Sequence, residues 1–251
     1  MTRVLVFDSG LGGLTVWREI VTLMPDLDLT YLADDKSFPI GDWPADALRD
    51  HLVALLAEAI GAHAPDCVVI ACNTASTLVL PALRERFDIP FVGTVPAIKP
   101  AAEATRSGLI SVLATPGTVR RDYTRALVDS FAAGCSVTLV GSSRLAGIAE
   151  RSLQGERLDD AGLRHEIAPC FVETEGGRTD HVVLACTHFP LLLTDLIRLA
   201  PWPVAWIDPA PAIARRLKTV LGDDNLTGKG VRCFHYTSGA PQPAAFERFA
   251  V

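Results

Sequence analysis

Uninterrupted aliphatic runs recur along the chain, separated by stretches in which apolar positions return every three or four residues. The runs predict strands near 3–7, 28–33, 67–71, 91–94, 109–114, 136–140, 181–185, 203–207 and 231–235. The helical spacing predicts helices near 14–24, 45–63, 75–87, 97–106, 118–132, 143–152, 190–199 and 210–221. Runs that are apolar on both faces suit the central strands of a parallel sheet, and their alternation with helices predicts a parallel α/β architecture. Stretches 154–163 and 222–230, rich in charge and glycine, read as surface loops.

Two of the runs are near copies. Asp66-Cys67-Val68-Val69-Ile70-Ala71-Cys72-Asn73-Thr74 is echoed by Asp180-His181-Val182-Val183-Leu184-Ala185-Cys186-Thr187-His188, with the second cysteine of the first copy aligned to Cys186. The repeat extends to Val4-Leu5-Val6-Phe7-Asp8-Ser9-Gly10 and Ile110-Ser111-Val112-Leu113-Ala114-Thr115-Pro116-Gly117-Thr118, at a similar offset. Two similar halves follow, one of 1–95 plus 208–251 and one of 96–207, joined near Thr94-Val95-Pro96 and Asp208-Pro209. Each thiol falls where a central parallel strand ends, the edge at which open α/β sheets bind ligands. Two thiols on opposite sides of one small molecule would suit proton removal on one face and return on the other, which is stereochemical inversion at carbon.

Composition narrows the alternatives. The 251 residues, 49% of them apolar, suffice for one large or two modest domains with a sizeable core. No apolar run approaches the roughly 20 residues of a membrane span, and a strand-like Arg3-Val4-Leu5-Val6-Phe7 stands in place of a leader, so a soluble cytoplasmic protein is expected. A net charge of −6, with no basic block beyond Arg120-Arg121 or Arg215-Arg216-Leu217-Lys218, argues against nucleic-acid binding. The six cysteines (67, 72, 135, 170, 186 and 233) have no metal-finger or redox spacing, so reduced thiols, no disulfide framework and no metal site are expected.

Several residues around the repeated thiols carry possible chemistry. A thiol titrates near ~8.5, and a helix N-terminus or polar neighbour lowers that value. Either cysteine alone reads as a small buried hydrophobe, whereas their equivalent places in a repeat favour chemistry. Asn73-Thr74-Ala75-Ser76 and Thr187-His188 offer N-caps, but the same helix starts attract carboxylates. No lysine or arginine lies in these motifs, so an anionic substrate would be held mostly by dipoles. Asp8-Ser9-Gly10-Leu11-Gly12-Gly13-Leu14-Thr15 lacks a P-loop lysine and the dinucleotide spacing. Two readings of Asp8 stand equally: a helix cap, or a carboxylate that orients a thiol or takes its proton. His188 is placed to exchange a proton beside Cys186. His51, His63, His165 and His181 read as structural. Asp34 and Asp35, before Phe38-Pro39-Ile40-Gly41-Asp42, are either functional or a solvated strand end. A thiol hydrolase pairing Cys72 with His188 leaves the second cysteine without a role.

Together, the segments 7–16, 71–76 and 185–192 resemble the signature segments of bacterial glutamate racemases, of the aspartate/glutamate racemase superfamily. The resemblance extends to Tyr31-Leu32-Ala33-Asp34, Ala114-Thr115-Pro116-Gly117-Thr118 and Tyr236-Thr237-Ser238-Gly239. It implies two similar flavodoxin-like parallel-sheet domains related by pseudo-two-fold symmetry, with the active site in the cleft between them. It also implies a cofactor-independent enzyme that interconverts L- and D-glutamate, supplies D-glutamate for peptidoglycan and forms a homodimer. By motif, Cys72 and Cys186 would be the acid/base pair, with Asp8 and Asp34 near the first thiol, and His188 and Glu150 near the second. Ser9, Gly41, Asn73, Thr74, Thr118, Thr187 and His188 match substrate-contacting positions. Ile40 stands where the family usually has tyrosine in Pro-Tyr-Gly; if the loop holds a distal carboxylate through its backbone N–H groups, isoleucine keeps those donors, and otherwise the exchange tunes affinity or admits a different amino acid. The nearest competing substrate is aspartate or another amino-acid-like molecule.

Overall fold

The computed structural model describes residues 1–223 and 226–249 of the 251. Asp224 and Asn225, within the expected 222–230 loop, lie outside the described residues, as do Ala250 and Val251. In chain order the elements begin with β1 (Arg3–Asp8), α1 (Leu14–Leu23), β2 (Asp28–Ala33), α2 (Ala45–His63), β3 (Cys67–Ile70), α3 (Asn73–Arg86) and β4 (Phe91–Gly93). There follow α4 (Ile98–Ala104), β5 (Leu109–Ala114), α5 (Pro116–Val119), α6 (Asp122–Phe131), β6 (Ser136–Gly141), α7 (Leu145–Leu153) and α8 (Asp160–Ile167). The last are β7 (Glu173–Thr174), β8 (Gly177–Arg178), β9 (His181–Ala185), α9 (Leu193–Leu199), β10 (Ala205–Ile207), α10 (Ala210–Leu221), β11 (Arg232–Tyr236) and α11 (Ala244–Glu247).

The chain divides into two compact units, Met1–Thr94 with Ala210–Val251, and Val95–Pro209. The first unit holds a parallel sheet ordered β11-β2-β1-β3-β4. The second holds a parallel sheet ordered β10-β9-β5-β6, beside a short antiparallel ribbon of β7 and β8. Leaving β11 aside, both sheets have one topology: the second strand of the unit, then the first, third and fourth. In each, the chain leaves the first strand to one side and later crosses to the other. The first and third strands therefore flank the switch point at which such sheets bind ligands.

The core explains the aliphatic runs. All of β3 is buried, as are Val182 to Ala185 of β9, because helices cover both faces of these central strands. Helix α2 buries Leu48, Leu52, Leu56 and Ala59, an apolar stripe that packs on Leu5, Phe7, Val68 and Ile70. The other face of the first sheet carries an aromatic cluster. Tyr31 stacks on Phe234 with centroids 5.4 Å apart, and Trp17 lies 5.8 Å from Tyr31 and 5.2 Å from Phe246. Such ring pairs add about 0.5–1.5 kcal/mol each beyond the area they bury. In the second unit Ile98, Ile110, Val112 and Val183 form the equivalent core.

Several elements depart from the sequence expectation, among them β7, β8 and α11, where no element was predicted. The helix predicted over 118–132 is two helices, and at the break the Thr118 carbonyl accepts the Thr124 hydroxyl at 2.7 Å beside a longer bond from the Arg121 N–H at 3.4 Å. The helix predicted over 190–199 opens with a 3-10 turn at Phe189–Leu192, with Pro190 at its start. The stretch read as loop 154–163 runs into α8, which the Asp159 carboxylate caps through the Ala161 N–H at 3.1 Å and which buries Leu163 and Ile167.

Candidate active site

In the first unit, the pairing of β1 with β3 brings the loop after β1 beside the start of α3. The Ala71 N–H donates to the Phe7 carbonyl at 2.8 Å, and beyond this bond the Ser9 hydroxyl lies 3.7 Å from the Cys72 sulfur. Asp8 is fully buried and its Oδ2 accepts the Gly10 N–H at 3.1 Å. Helix α1 starts at Gly13, which has no side chain to cap it, and Asp8 holds the loop just before it. The Tyr31 hydroxyl donates to the Gly10 carbonyl at 2.8 Å and ties this loop to β2. A Cβ on Gly13 would lie 2.7 Å from both the Asp8 Cβ and the Tyr31 hydroxyl oxygen, so only glycine permits that approach.

Cys72 occupies the N-cap position of α3 in an extended conformation (φ −65°, ψ 122°), beside the N–H groups of the first turn. The Cys72 side chain makes no capping bond to this helix. The Ser76 hydroxyl donates to the Ile70 carbonyl at 2.9 Å and accepts the Thr94 N–H at 2.9 Å, which joins the ends of β3 and β4. Asn73 is buried, and neither its Nδ2 nor its Oδ1 has a hydrogen-bond partner among the described residues. An unpaired buried amide costs about 1–3 kcal/mol, so this side chain is primed for a ligand that offers both donor and acceptor. Thr74 is buried beside it.

Asp34 follows β2, next to Asp8 at the end of β1, and its N–H donates to the Asp8 carbonyl at 3.0 Å. Its buried carboxylate accepts the Thr237 hydroxyl at 2.9 Å and meets His51 Nε2 at 2.8 Å. Asp35 accepts the same Thr237 hydroxyl at 3.1 Å and the Ser238 N–H at 2.9 Å. His51, read from sequence as a structural helix residue, therefore holds a buried carboxylate. The available signal was its position on the inner stripe of α2, one turn after the buried Leu48. Ile40 packs its side chain into the apolar cluster with Leu32, Leu48 and Leu52, while Gly41 is half-buried in the following turn. The isoleucine side chain is thus core, and the loop's remaining polar resource is its backbone.

In the second unit β9 pairs with β5 and is followed directly by Cys186, whose sulfur lies 3.9 Å from His188 Nδ1. His188 Nε2 meets Glu150 Oε1 at 2.8 Å, giving a buried thiol and imidazole in series with a partly buried carboxylate. Glu150 is presented by α7, whose first turn is fixed where the Leu145 N–H donates to Ser142 Oγ at 3.1 Å; that hydroxyl in turn donates to Glu166 at 2.6 Å. At the end of β5 the buried Thr118 hydroxyl lies 3.1 Å from that of Thr115. Thr187 is buried between Cys186 and His188.

Two further thiols are fully buried. Burial pushes Cys67 and Cys170 up to about 12, which keeps them protonated at neutral pH. Among the described residues no group of three or more His, Cys, Asp or Glu is arranged to hold a metal ion, and no helix is long and apolar enough to cross a membrane.

Residues 28–217 match the family described as Asp/Glu/Hydantoin racemase. A glutamate racemase of Brucella anthropi is 61% identical over 219 residues, which cover 87% of this chain and 79% of the relative. One of Brucella canis is 60% identical over 246 residues, covering 96% of this chain and 88% of the relative. The crystal structure of Escherichia coli glutamate racemase in complex with L-glutamate and the activator UDP-MurNAc-Ala superposes with a TM-score of 0.83 at 43% identity, covering 88% of this chain and 82% of that one.

Proposed function

We propose, because this chain belongs to the Asp/Glu/Hydantoin racemase family, that it interconverts L-glutamate and D-glutamate by acid/base chemistry at two thiols. The observation that carries the reading is the placement of Cys72 and Cys186 after the third strand of the same topology, once in each unit. Small-molecule glutamate is the substrate, and D-glutamate for peptidoglycan is the product of use. A cytoplasmic homodimer that needs no added cofactor is part of the same proposal.

By resemblance to the family Cys72 serves the D-enantiomer: in that direction it enters as thiolate and takes the α-proton, becoming a thiol and leaving a carbanion. Cys186 enters as thiol and gives its proton to the opposite face, leaving L-glutamate and a Cys186 thiolate. The reverse reaction starts from that state and restores the first, so protons and charge balance over each turnover.

The two thiols have different helpers. Beside Cys72 are the Ser9 hydroxyl and the start of α3, while the Asp8 carboxylate holds the loop that carries Ser9 through the Gly10 N–H. Beside Cys186, Glu150 accepts Nε2–H of His188, which leaves Nδ1 to take or return the thiol proton and stabilises the imidazolium when it forms. Substrate is held by Asn73, Thr74, Thr118, Thr187 and His188, by Ser9, and by the backbone around Ile40 and Gly41. The carbanion next to a carboxylate is made accessible by positioning, oriented dipoles and exclusion of water.

The test is incubation of the purified protein with either enantiomer in deuterated water, without added cofactor, followed by circular dichroism and α-proton exchange. Both enantiomers should converge on the racemate with deuterium at Cα. Cys72→Ser and Cys186→Ser should each lose racemisation by about 10³-fold or more while folding normally, because each deletes one proton-transfer group. Retained turnover in either variant removes that cysteine from the mechanism. Faster turnover of aspartate than of glutamate reassigns the substrate.

A further inference from the structure

We propose that His51 is a positioning residue for racemisation, setting the charge and orientation of the buried Asp34 carboxylate from the solvent side of the first unit. The inference rests on the racemase reading and adds a residue to it. Asp34 and Asp8 stand on adjacent strands at the ligand-binding edge, and glutamate brings an α-ammonium that such carboxylates attract. The charge that Asp34 presents there depends on its partner. His51 Nε2 is 2.8 Å from Asp34 Oδ2 and 2.9 Å from the Ser37 hydroxyl, so a proton is shared at this contact. With neutral His51 donating from Nε2, the pair carries one negative charge. A second proton, on Nδ1, makes the pair neutral overall and weakens its pull on an ammonium.

That second proton has a route. Asp34 is 1% exposed, whereas the His51 side chain is 36% exposed and lines an open cavity of about 500 Å³. From the other elements around this cavity, Lys36 follows β2, Glu58 and His63 lie along α2, and His235 projects from β11. The His63 and His235 rings sit 5.1 Å apart, and Trp43 packs 5.7 Å from His51. Lys36 sets like charge around a protonated His51 and Glu58 sets the opposite, while burial and the neighbouring His235 hold His63 below the usual imidazole range and so favour its neutral form. The Thr237 hydroxyl holds the other oxygen of Asp34, so the carboxylate turns only if His51 lets it.

Steady-state racemisation of both enantiomers, from mildly acid to mildly alkaline pH, tests this with His51→Gln and His51→Ala, and with His63→Gln as a cavity control. Glutamine keeps an N–H donor at similar reach but cannot take the second proton. His51→Gln should retain kcat within about threefold at alkaline pH and flatten the acid-side fall in kcat/KM, with His63→Gln matching the parent protein. His51→Ala should lose about tenfold in kcat/KM, the scale on which misplacing a reacting group is felt. In an Asp34→Asn background it should cost nothing further, since the group it positions is gone. Unchanged pH profiles in both His51 variants, or equal losses in both, overturn the proposal. Should His51→Ala fail to fold, the His51→Gln profile decides. A parent protein inactive on glutamate instead overturns the racemase reading.

Discussion

At the scale of single residues, burial alone does not distinguish the reactive side chains. Cys67 and Cys170 are as buried as Cys72 and Cys186, yet they lie against apolar strands and backbone, where burial raises a thiol to about 12. Cys72 and Cys186 follow their strands beside a hydroxyl and an imidazole. Asn73 shows the same division from the side of stability. Its buried amide has no partner among the described residues, which is a cost to the fold that substrate would recover. Asn73→Ala is therefore expected to leave stability unchanged or raise it by up to about 1–2 kcal/mol, while KM for glutamate rises roughly tenfold or more. Urea unfolding and steady-state kinetics check the two halves separately, and a destabilised variant with normal KM makes Asn73 structural.

At the scale of elements, each third strand is anchored at its base by an aspartate. Asp66 accepts the Arg3 N–H at 2.8 Å at the start of β1. Asp180 accepts the Thr105 hydroxyl at 2.6 Å and the Arg106 and Ser107 N–H groups at 2.8 and 3.0 Å, just before β5. Burial of Asp180 opposes ionisation, but these bonds and His181 outweigh it and hold the carboxyl well below the usual range. A depressed carboxylate stabilises fully above its unfolded value of ~3.9, and that contribution is lost as pH falls through the folded value. Asp180→Asn should cost about 1–3 kcal/mol at neutral pH. The gap to the parent protein should close as pH drops below ~4, measured by urea unfolding at both ends.

Both aspartates belong to the copied segments, so this anchor was written in the repeat together with the thiols and the parallel strands. Two features that periodicity missed go with local hydrogen bonds. Asp159 starts α8 within a charged stretch, and the Thr124 hydroxyl meets the Thr118 carbonyl where the helix after β5 breaks. The His51–Asp34 contact was illegible for a different reason, since it joins α2 to the end of β2 across the sheet edge and no local spacing encodes that pairing.

At the scale of the whole molecule, a net charge of −6 meets an anionic substrate, and the residues assigned to it include no lysine or arginine. Long-range electrostatics therefore works against capture, and salt screens that repulsion. Raising ionic strength from about 10 to about 200 mM should leave KM for glutamate unchanged or lower it by up to about twofold. A clear rise in KM would reveal a cationic anchor outside the residues assigned here.

The strand order that both units share has a last consequence, for direction. With one thiol after the third strand of each unit the reaction runs both ways, and because mirror-image reactants have equal free energy in water it comes to rest at equal amounts. No catalyst moves that balance. Conversion beyond it continues only while a later step withdraws one enantiomer.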